Sequence, residues 1–217
     1  KAVYGYDVKL LDDQTGEELT QPHQKGVVAI EGPLPPGCLQ TIWGDDDRFV
    51  KTYWATVPGK TIYSTFDWGI KDEDGYFFIL GRTDDVINVA GHRLGTREIE
   101  ESISGHAAVA EVAVVGVADN LKGQVAMAFA VLKDGALLND AQALLKLEGE
   151  IMKVVDNSLG AVARPARVRF VSVLPKTRSG KLLRRAIQAV CEGRDPGDLT
   201  TMDDPSALLQ ISDLVKA

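Results

Sequence analysis

The 217-residue chain is 45% hydrophobic, enough apolar material for one large domain or two small ones. Its net charge of -7 excludes a general nucleic-acid binder, which needs an excess of Lys and Arg to neutralise phosphates. Two cysteines, Cys38 and Cys191, lie far apart and without metal-ligand spacing, so neither a disulfide framework nor a zinc site is expected, and both are read as reduced thiols. No apolar run reaches the roughly 18 residues that span a bilayer, and the chain reads as a soluble, cytoplasmic protein without a membrane partner. It opens on Lys1-Ala2-Val3 and enters a strand pattern at once, as a piece of something longer would.

Residues 1 to 83 are rich in strand and turn signals. Val8 and Leu10 alternate with polar residues, Asp12 to Gly16 is turn chemistry, and Gly26 to Ile30 reads as a second strand. A short helix is expected from about Asp46 to Trp54, with Phe49, Val50 and Tyr53 on one face; Thr61 to Phe66 then alternates as a strand leading to Asp67. Two short apolar strands, Tyr76 to Leu80 and Val86 to Ala90, follow.

From residue 84 onward helices and strands alternate. Thr96 is expected to cap a helix whose first turn carries Glu98, Glu100 and Glu101, with Ile99 and Ile103 on its buried side. Strands are expected at Val109 to Val117, Gln124 to Leu132 and Arg167 to Val173. A long helix from Asn139 to Leu159 carries Leu144, Leu147, Ile151 and Val155 at helical spacing and stops at Gly160; Leu182 to Cys191 and a segment after Asp204-Pro205 complete the helices. The whole is an α+β chain: a strand-rich part, residues 1–83, then a small α/β domain, residues 84–217, with a short sheet flanked by helices.

Two constellations stand out. Within the 30 residues from Asp67 to Thr96 lie five aspartates, two arginines and five glycines, placed at the ends of short apolar strands where charged groups can meet a ligand without burial. An isolated aspartate in such a place is ordinarily a solvated turn residue, and Arg82 among these acids is as readily an ion-pair partner as a ligand contact. His92 has no metal-ligand or hydrolytic partner that spacing can locate among three histidines.

The second constellation is Pro175-Lys176-Thr177-Arg178-Ser179-Gly180-Lys181-Leu182. It is not a Walker A loop, which needs glycine where Pro175 stands and Ser or Thr where Leu182 stands. Residues 161–185 carry eight basic side chains and no acidic one, a patch suited to a small polyanion.

The first stretch resembles the central motif of the adenylate-forming acyl-CoA synthetases. Thr-Asp-Asp-Val-Ile-Asn-Val-Ala-Gly-His-Arg-Leu-Gly-Thr, residues 83 to 96, is similar to its acetyl/propionyl branch, and Pro175 to Lys181 matches that family's C-terminal Pro-Lys-Thr-x-Ser-Gly-Lys motif. The tail around Cys191 to Leu199 and Asp203 to Ser206, with Phe66-Asp67-Trp68-Gly69, resembles the propionyl-CoA synthetase subgroup. The resemblance implies a ligase that joins a short-chain carboxylate to AMP, using ATP and Mg2+ carried by ATP, and then passes the acyl group to CoA. It implies that Asp67 holds the ATP ribose, in a motif that stands here as Thr65-Phe66-Asp67 with Phe66 in place of glycine. Arg82 is implied to touch nucleotide ribose and phosphate, Arg93 a nucleotide phosphate, Gly91 and His92 the CoA channel, and Asp84 to serve as the hinge of the small domain. Lys181 is implied to be the catalytic cation that stabilises carboxylate and α-phosphate as they combine. Where acetyl-type relatives carry an arginine for the CoA 3′-phosphate, Asp156 stands, with Lys153 and Arg164 nearby.

The family's ATP phosphate loop and acyl pocket lie upstream, so the resemblance implies a C-terminal piece, inactive without the missing N-terminal part of the same enzyme. An acetyl-specific synthetase, another adenylate-forming ligase and a stand-alone nucleotide- or CoA-binding module share these features as alternatives.

Overall fold

The computed structural model describes residues 1–216 and divides into two compact units, Lys1–Asp84 and Asp85–Ala217. The first is an antiparallel sheet of four strands in chain order, β1 (Asp7–Leu11), β2 (Lys25–Glu31), β3 (Ile62–Lys71) and β4 (Phe77–Arg82). Alternation along the strands buries Leu11, Ala29 and Ile62 against Val57. β3 runs five residues past the expected Phe66, so Asp67, Trp68 and Gly69 lie inside the strand. Gly69 is required there: a Cβ would stand 2.7 Å from Val28 Cγ2 and 3.1 Å from the Phe78 carbonyl. Asp72 closes the β3–β4 turn, its carboxylate accepting the Tyr76 N–H at 2.7 Å.

α1 (Asp46–Phe49) is capped by the Asp45 carboxylate, which accepts the Arg48 N–H, and continues as a wider turn over Val50–Trp54. The widening rotates the face. Phe49 and Tyr53 remain neighbours, with ring centroids 5.5 Å apart, whereas Val50, expected beside them, is 52% exposed. Tyr53 stacks on Tyr63 of β3 at 5.2 Å, which seats the helix on the sheet.

The second unit has three layers. Its sheet joins β5 (Val86–Val89), β6 (His92–Gly95), β7 (Val109–Asp119), β8 (Gly123–Leu132) and β9 (Arg167–Val171). β7 and β8 pair antiparallel along their length, β9 runs parallel to β8, and β5 touches β8 through Val89 and Gly123. Period-two alternation sends Val112, Val114, Ala128 and Ala130 to one face, under α2 (Thr96–Ser104) and α3 (Ala141–Leu159). Ala113, Val115 and Phe129 go to the other, under α4 (Arg184–Cys191) and α5 (Ser206–Lys216). Asp140 caps α3 through the Gln142 and Ala143 N–H groups, and Gly160, at φ +83°, ends it.

Two local expectations are corrected. Thr96 does not cap α2: Gly95 holds that position without a side-chain bond, and Thr96 is the buried first residue of the helix. The cause is β6, a short strand that the sequence reading did not assign and that delivers the chain to α2 already extended at Gly95. α4 starts at Arg184 rather than Leu182, because Leu182 is still paired with Lys176 across a hairpin.

Candidate functional site

In the first unit the site residues gather around an irregularity in β3. Val28 pairs with Asp67 while the adjacent Ala29 pairs with Ser64, so Thr65 and Phe66 have no partner on β2 and bulge from the sheet. Thr65 fixes the bulge, its hydroxyl donating to the Val28 carbonyl at 2.7 Å and accepting the Asp67 N–H at 3.2 Å. Phe66 takes a left-handed backbone, φ +59°, which favours glycine and explains why a glycine suits this place in the implied motif. Its ring is held edge-on to Tyr53 at 5.7 Å and lies under the Arg82 guanidinium at 5.6 Å.

Asp67 and Arg82 face each other across β3 and β4. Arg82 Nη1 donates to the Thr65 carbonyl at 3.3 Å and stands 3.8 Å from Asp67 Oδ1, while its Nε is 3.5 Å from Asp84 Oδ1. These ion-pair distances are long, and the Arg82 side chain is half exposed. A guanidinium fork and a carboxylate thus sit side by side, with donor and acceptor capacity left for a ligand.

In the second unit Ala90 and Gly91 form the two-residue turn between β5 and β6, with φ +50° and +86°. Both central residues of a type I′ turn need positive φ, the conformation that Gly91 supplies without strain. Asn88 Oδ1 accepts the Gly91 N–H at 3.1 Å, and the Lys122 carbonyl accepts that of Ala90 at 2.8 Å. Gly91 and His92 are exposed, and Arg93 is half-buried on β6 opposite Asn88. Beside the turn opens a cleft of about 320 Å³ lined by Val89, Ala90, Lys122, Met152, Arg164 and Pro165, among others. Arg164 on its wall is drawn to Asp156 Oδ2 at 3.0 Å.

Lys181 lies at the end of a small hairpin. Lys176 pairs with Leu182, the Thr177 N–H donates to the Lys181 carbonyl at 2.8 Å, and the Thr177 hydroxyl accepts the Lys181 N–H at 3.1 Å. Gly180, at φ +83°, makes the bend. The Lys181 side chain is exposed and forms no ion pair among the described residues. Its neighbours differ: Lys176 is bound to Glu111 at 2.6 Å and Arg184 to Glu100 at 2.7 and 3.1 Å. The basic patch of residues 161–185 is therefore partly neutralised by acids from elsewhere in the fold.

Sequence reasoning missed the partners of Glu100, which it placed with Glu98 and Glu101 in the first turn of the helix. Glu100 is buried, clamps Arg184 in bidentate fashion and accepts the Val114 N–H at 2.9 Å. Burial opposes the Arg184 charge, but Glu100 and Asp85 outweigh it and raise its pKa above the ordinary arginine value. The signal was the spacing of Glu100 from Ile99 and Ile103, which puts the carboxylate at the margin of the apolar face.

Among the described residues no group of His, Cys, Asp or Glu converges as a metal site, and no helix is long and apolar enough to cross a membrane.

Residues 98–181 match the model of the AMP-binding enzyme C-terminal domain. The chain is 64% identical to propionate–CoA ligase of Salmonella typhimurium over 99% of its own length and 34% of that protein. It is 46% identical to acetyl-coenzyme A synthetase of Pyrobaculum aerophilum over 94% of its own length and 29% of that protein. It superposes on the crystal structure of ATP-bound MatB from Rhodopseudomonas palustris with a TM-score of 0.69 and 26% identity, over 87% of this chain and 35% of that one. The chain thus spans about a third of the length of the curated relatives it matches. The chain is similar to that third of the propionate–CoA and acetyl-CoA ligases, and its residues 98–181 carry the AMP-binding enzyme C-terminal domain.

Proposed function

We propose that the chain is the C-terminal part of an ATP-dependent propionate–CoA ligase: the end of its large domain up to residue 83, a hinge at Asp84, and the small mobile domain. In the first half-reaction a carboxylate oxygen of propionate attacks the α-phosphorus of ATP, the bond to the β-phosphate oxygen breaks, and diphosphate leaves with its Mg2+. In the second the CoA thiolate attacks the acyl carbon and AMP leaves. Two anions must approach in the first step, so the need is for positive charge and positioning rather than for a proton carrier.

Asp67 takes the ribose hydroxyls, as a carboxylate with spare acceptor capacity can, and Arg82 and Arg93 take nucleotide oxygens. Gly91 and His92 line the approach of the CoA arm at the exposed turn, with the adjoining cleft for the remainder of CoA. Lys181 supplies the charge at the reacting centre. The observation that carries the reading is the state of Lys181: an exposed ammonium without a counter-ion among the described residues, on a hydrogen-bonded hairpin whose neighbouring cations Lys176 and Arg184 are neutralised. Higher identity to the propionate than to the acetyl relative favours propionate as substrate. A cytoplasmic setting follows from the same proposal, since ATP and CoA are cytoplasmic substrates.

The test is propionate-dependent ATP–diphosphate exchange in the complete enzyme. Lys181→Ala is expected to lower exchange roughly 10²- to 10³-fold while propionyl-CoA still forms from preformed propionyl-AMP and CoA. Exchange unaffected by the substitution overturns the assignment. The isolated 217-residue chain is expected to form no propionyl-CoA.

A further inference from the structure

The matched family domain ends at Lys181, and the chain beyond it returns to the lysine hairpin at two places. β9 parts from β8 after Val171, whose partner is Val131. The next residues, Ser172 and Val173, lead to the hairpin without a neighbouring strand. The Gln210 side chain of α5 takes the place of that strand. Its Oε1 accepts the Ser172 N–H at 2.8 Å, and its Nε2 donates to the Val173 carbonyl at 3.2 Å. One side-chain amide supplies the acceptor and the donor that a paired backbone would offer.

The second grip is on the hairpin itself. Thr177 pairs antiparallel with Met202: the Arg178 N–H donates to the Thr201 carbonyl at 3.1 Å, and the Asp203 N–H to the Lys176 carbonyl at 2.9 Å. A turn closed by Asp198, which accepts the Thr200 N–H, and by the Met202 N–H on the Leu199 carbonyl sets this segment. Met202 is its anchor, 5% exposed among Leu174, Ala186, Ile187, Leu208 and Ile211. Thr177 is thereby fixed to the tail on one side and to Lys181 on the other. Any shift of the tail passes through a single strand to the lysine.

We propose that Met202 and Gln210 are positioning residues for Lys181: the tail docks its own hairpin-facing strand and a side-chain amide against Ser172–Arg178 and so fixes where the ammonium is delivered. The inference rests on the assignment of Lys181 to adenylation. Rate depends steeply on such placement, and a misplacement of about 1 Å costs up to roughly 10²-fold.

The experiment uses the complete ligase and both half-reactions. Met202→Ala and Gln210→Ala are each expected to lower ATP–diphosphate exchange by roughly 10- to 100-fold, with thioester formation from propionyl-AMP and CoA within about twofold of the parent. Met202→Leu, which conserves volume, restores exchange. In a Lys181→Ala background Met202→Ala has no further effect on exchange, because the group it positions is gone. Equal losses in both half-reactions mark a general structural defect and overturn the proposal, as does unchanged exchange in both tail variants while Lys181→Ala remains impaired. If Lys181→Ala itself keeps full exchange, the adenylation assignment fails and the positioning role fails with it. Should Met202→Ala not yield folded protein, Gln210→Ala, at a half-buried site, decides the matter alone.

Discussion

Arg82 and Arg184 each stand between two carboxylates, in different units, and their surroundings separate their uses. Arg184 is 26% exposed, and Glu100, 11% exposed, meets it with two short bonds while also holding the Val114 N–H. Arg82 is 50% exposed, with Asp67 at 3.8 Å and Asp84 at 3.5 Å. Two hydrogen bonds tie the first guanidinium to its carboxylate, whereas Asp67 and Asp84 meet the second only at ion-pair distance. Residue type and acidic company are the same; bond count and burial tell a structural ion pair from a candidate ligand contact.

The sharpest way to break this distinction is Glu100→Ala. It leaves a half-buried guanidinium and the Val114 N–H without their acceptor, a loss expected at about 3 kcal/mol or more. Urea unfolding of the chain reads it, and a loss below about 1 kcal/mol would put Glu100 with the exposed pairs. Arg82→Ala is expected to lower stability by no more than about 1 kcal/mol, its exposed ion pairs and its contact with the Phe66 ring being weak, yet to lower ATP–diphosphate exchange of the complete enzyme at least tenfold, about the loss of one charge-assisted hydrogen bond. Arg82→Lys retains the charge without the fork and is expected to recover only part of the exchange. A stability loss in Arg82→Ala as large as that of Glu100→Ala would erase the contrast.

A third pair sharpens it through pH. Glu192 accepts the Ala118 N–H at 3.2 Å and pairs with Arg194, so it closes the end of β7. Burial pushes its carboxyl up, but Arg194 and the Ala118 N–H together hold it below its ordinary value of 4.5. A carboxyl lowered on folding contributes stability that is present above its unfolded pKa and is lost as pH falls from there through the folded value. Glu192→Gln is expected to flatten the fall in stability with acid below about pH 4.5, seen as a smaller difference in urea midpoint between pH 5 and the acid limb. An unchanged acid slope would place Glu192 among the solvated acids.

How legible these clusters were in the sequence follows from the range of each contact. Strand alternation at Val112 to Val115, the period of Ile151 and Val155, and the Gly160 helix end are local and were read in place. Asp67, Arg82 and Lys181 were singled out by motif, which carries spacing but not partners. The Glu100–Arg184 pair joins residues 84 apart in sequence, and the Gln210 bond to Ser172 joins residues 38 apart, and no periodicity signals either. β6 escaped because His92 to Gly95 holds one apolar side chain and so lacks the apolar run that marked β5, and its turn depends on Ala90 accepting a positive φ. The basic count of residues 161–185 misled because Glu111 and Glu100, which neutralise part of it, come from distant elements, while Asp156 lies just outside the counted stretch, at the end of α3.

The smallest effect probes what shapes the open cluster. Phe66 holds φ +59°, a conformation costing a side-chain-bearing residue about 1 kcal/mol relative to glycine, and its ring contacts Tyr53 and Arg82. Two substitutions separate backbone from ring. Phe66→Ala keeps the strained backbone and loses both ring contacts, together worth about 1–2 kcal/mol. Phe66→Gly loses the same contacts but relieves the strain. At an ordinary strand position alanine is the more stable of the two; here glycine is expected to be the more stable by several tenths to about 1 kcal/mol, in urea unfolding of this chain. If alanine proves the better residue, the bulge does not require the left-handed backbone, and the placing of Asp67 beside Arg82 owes nothing to it. If glycine is better yet exchange in the complete enzyme still falls, the ring is steering Arg82. The phenylalanine then supports the guanidinium at the cost of backbone strain that a glycine would avoid.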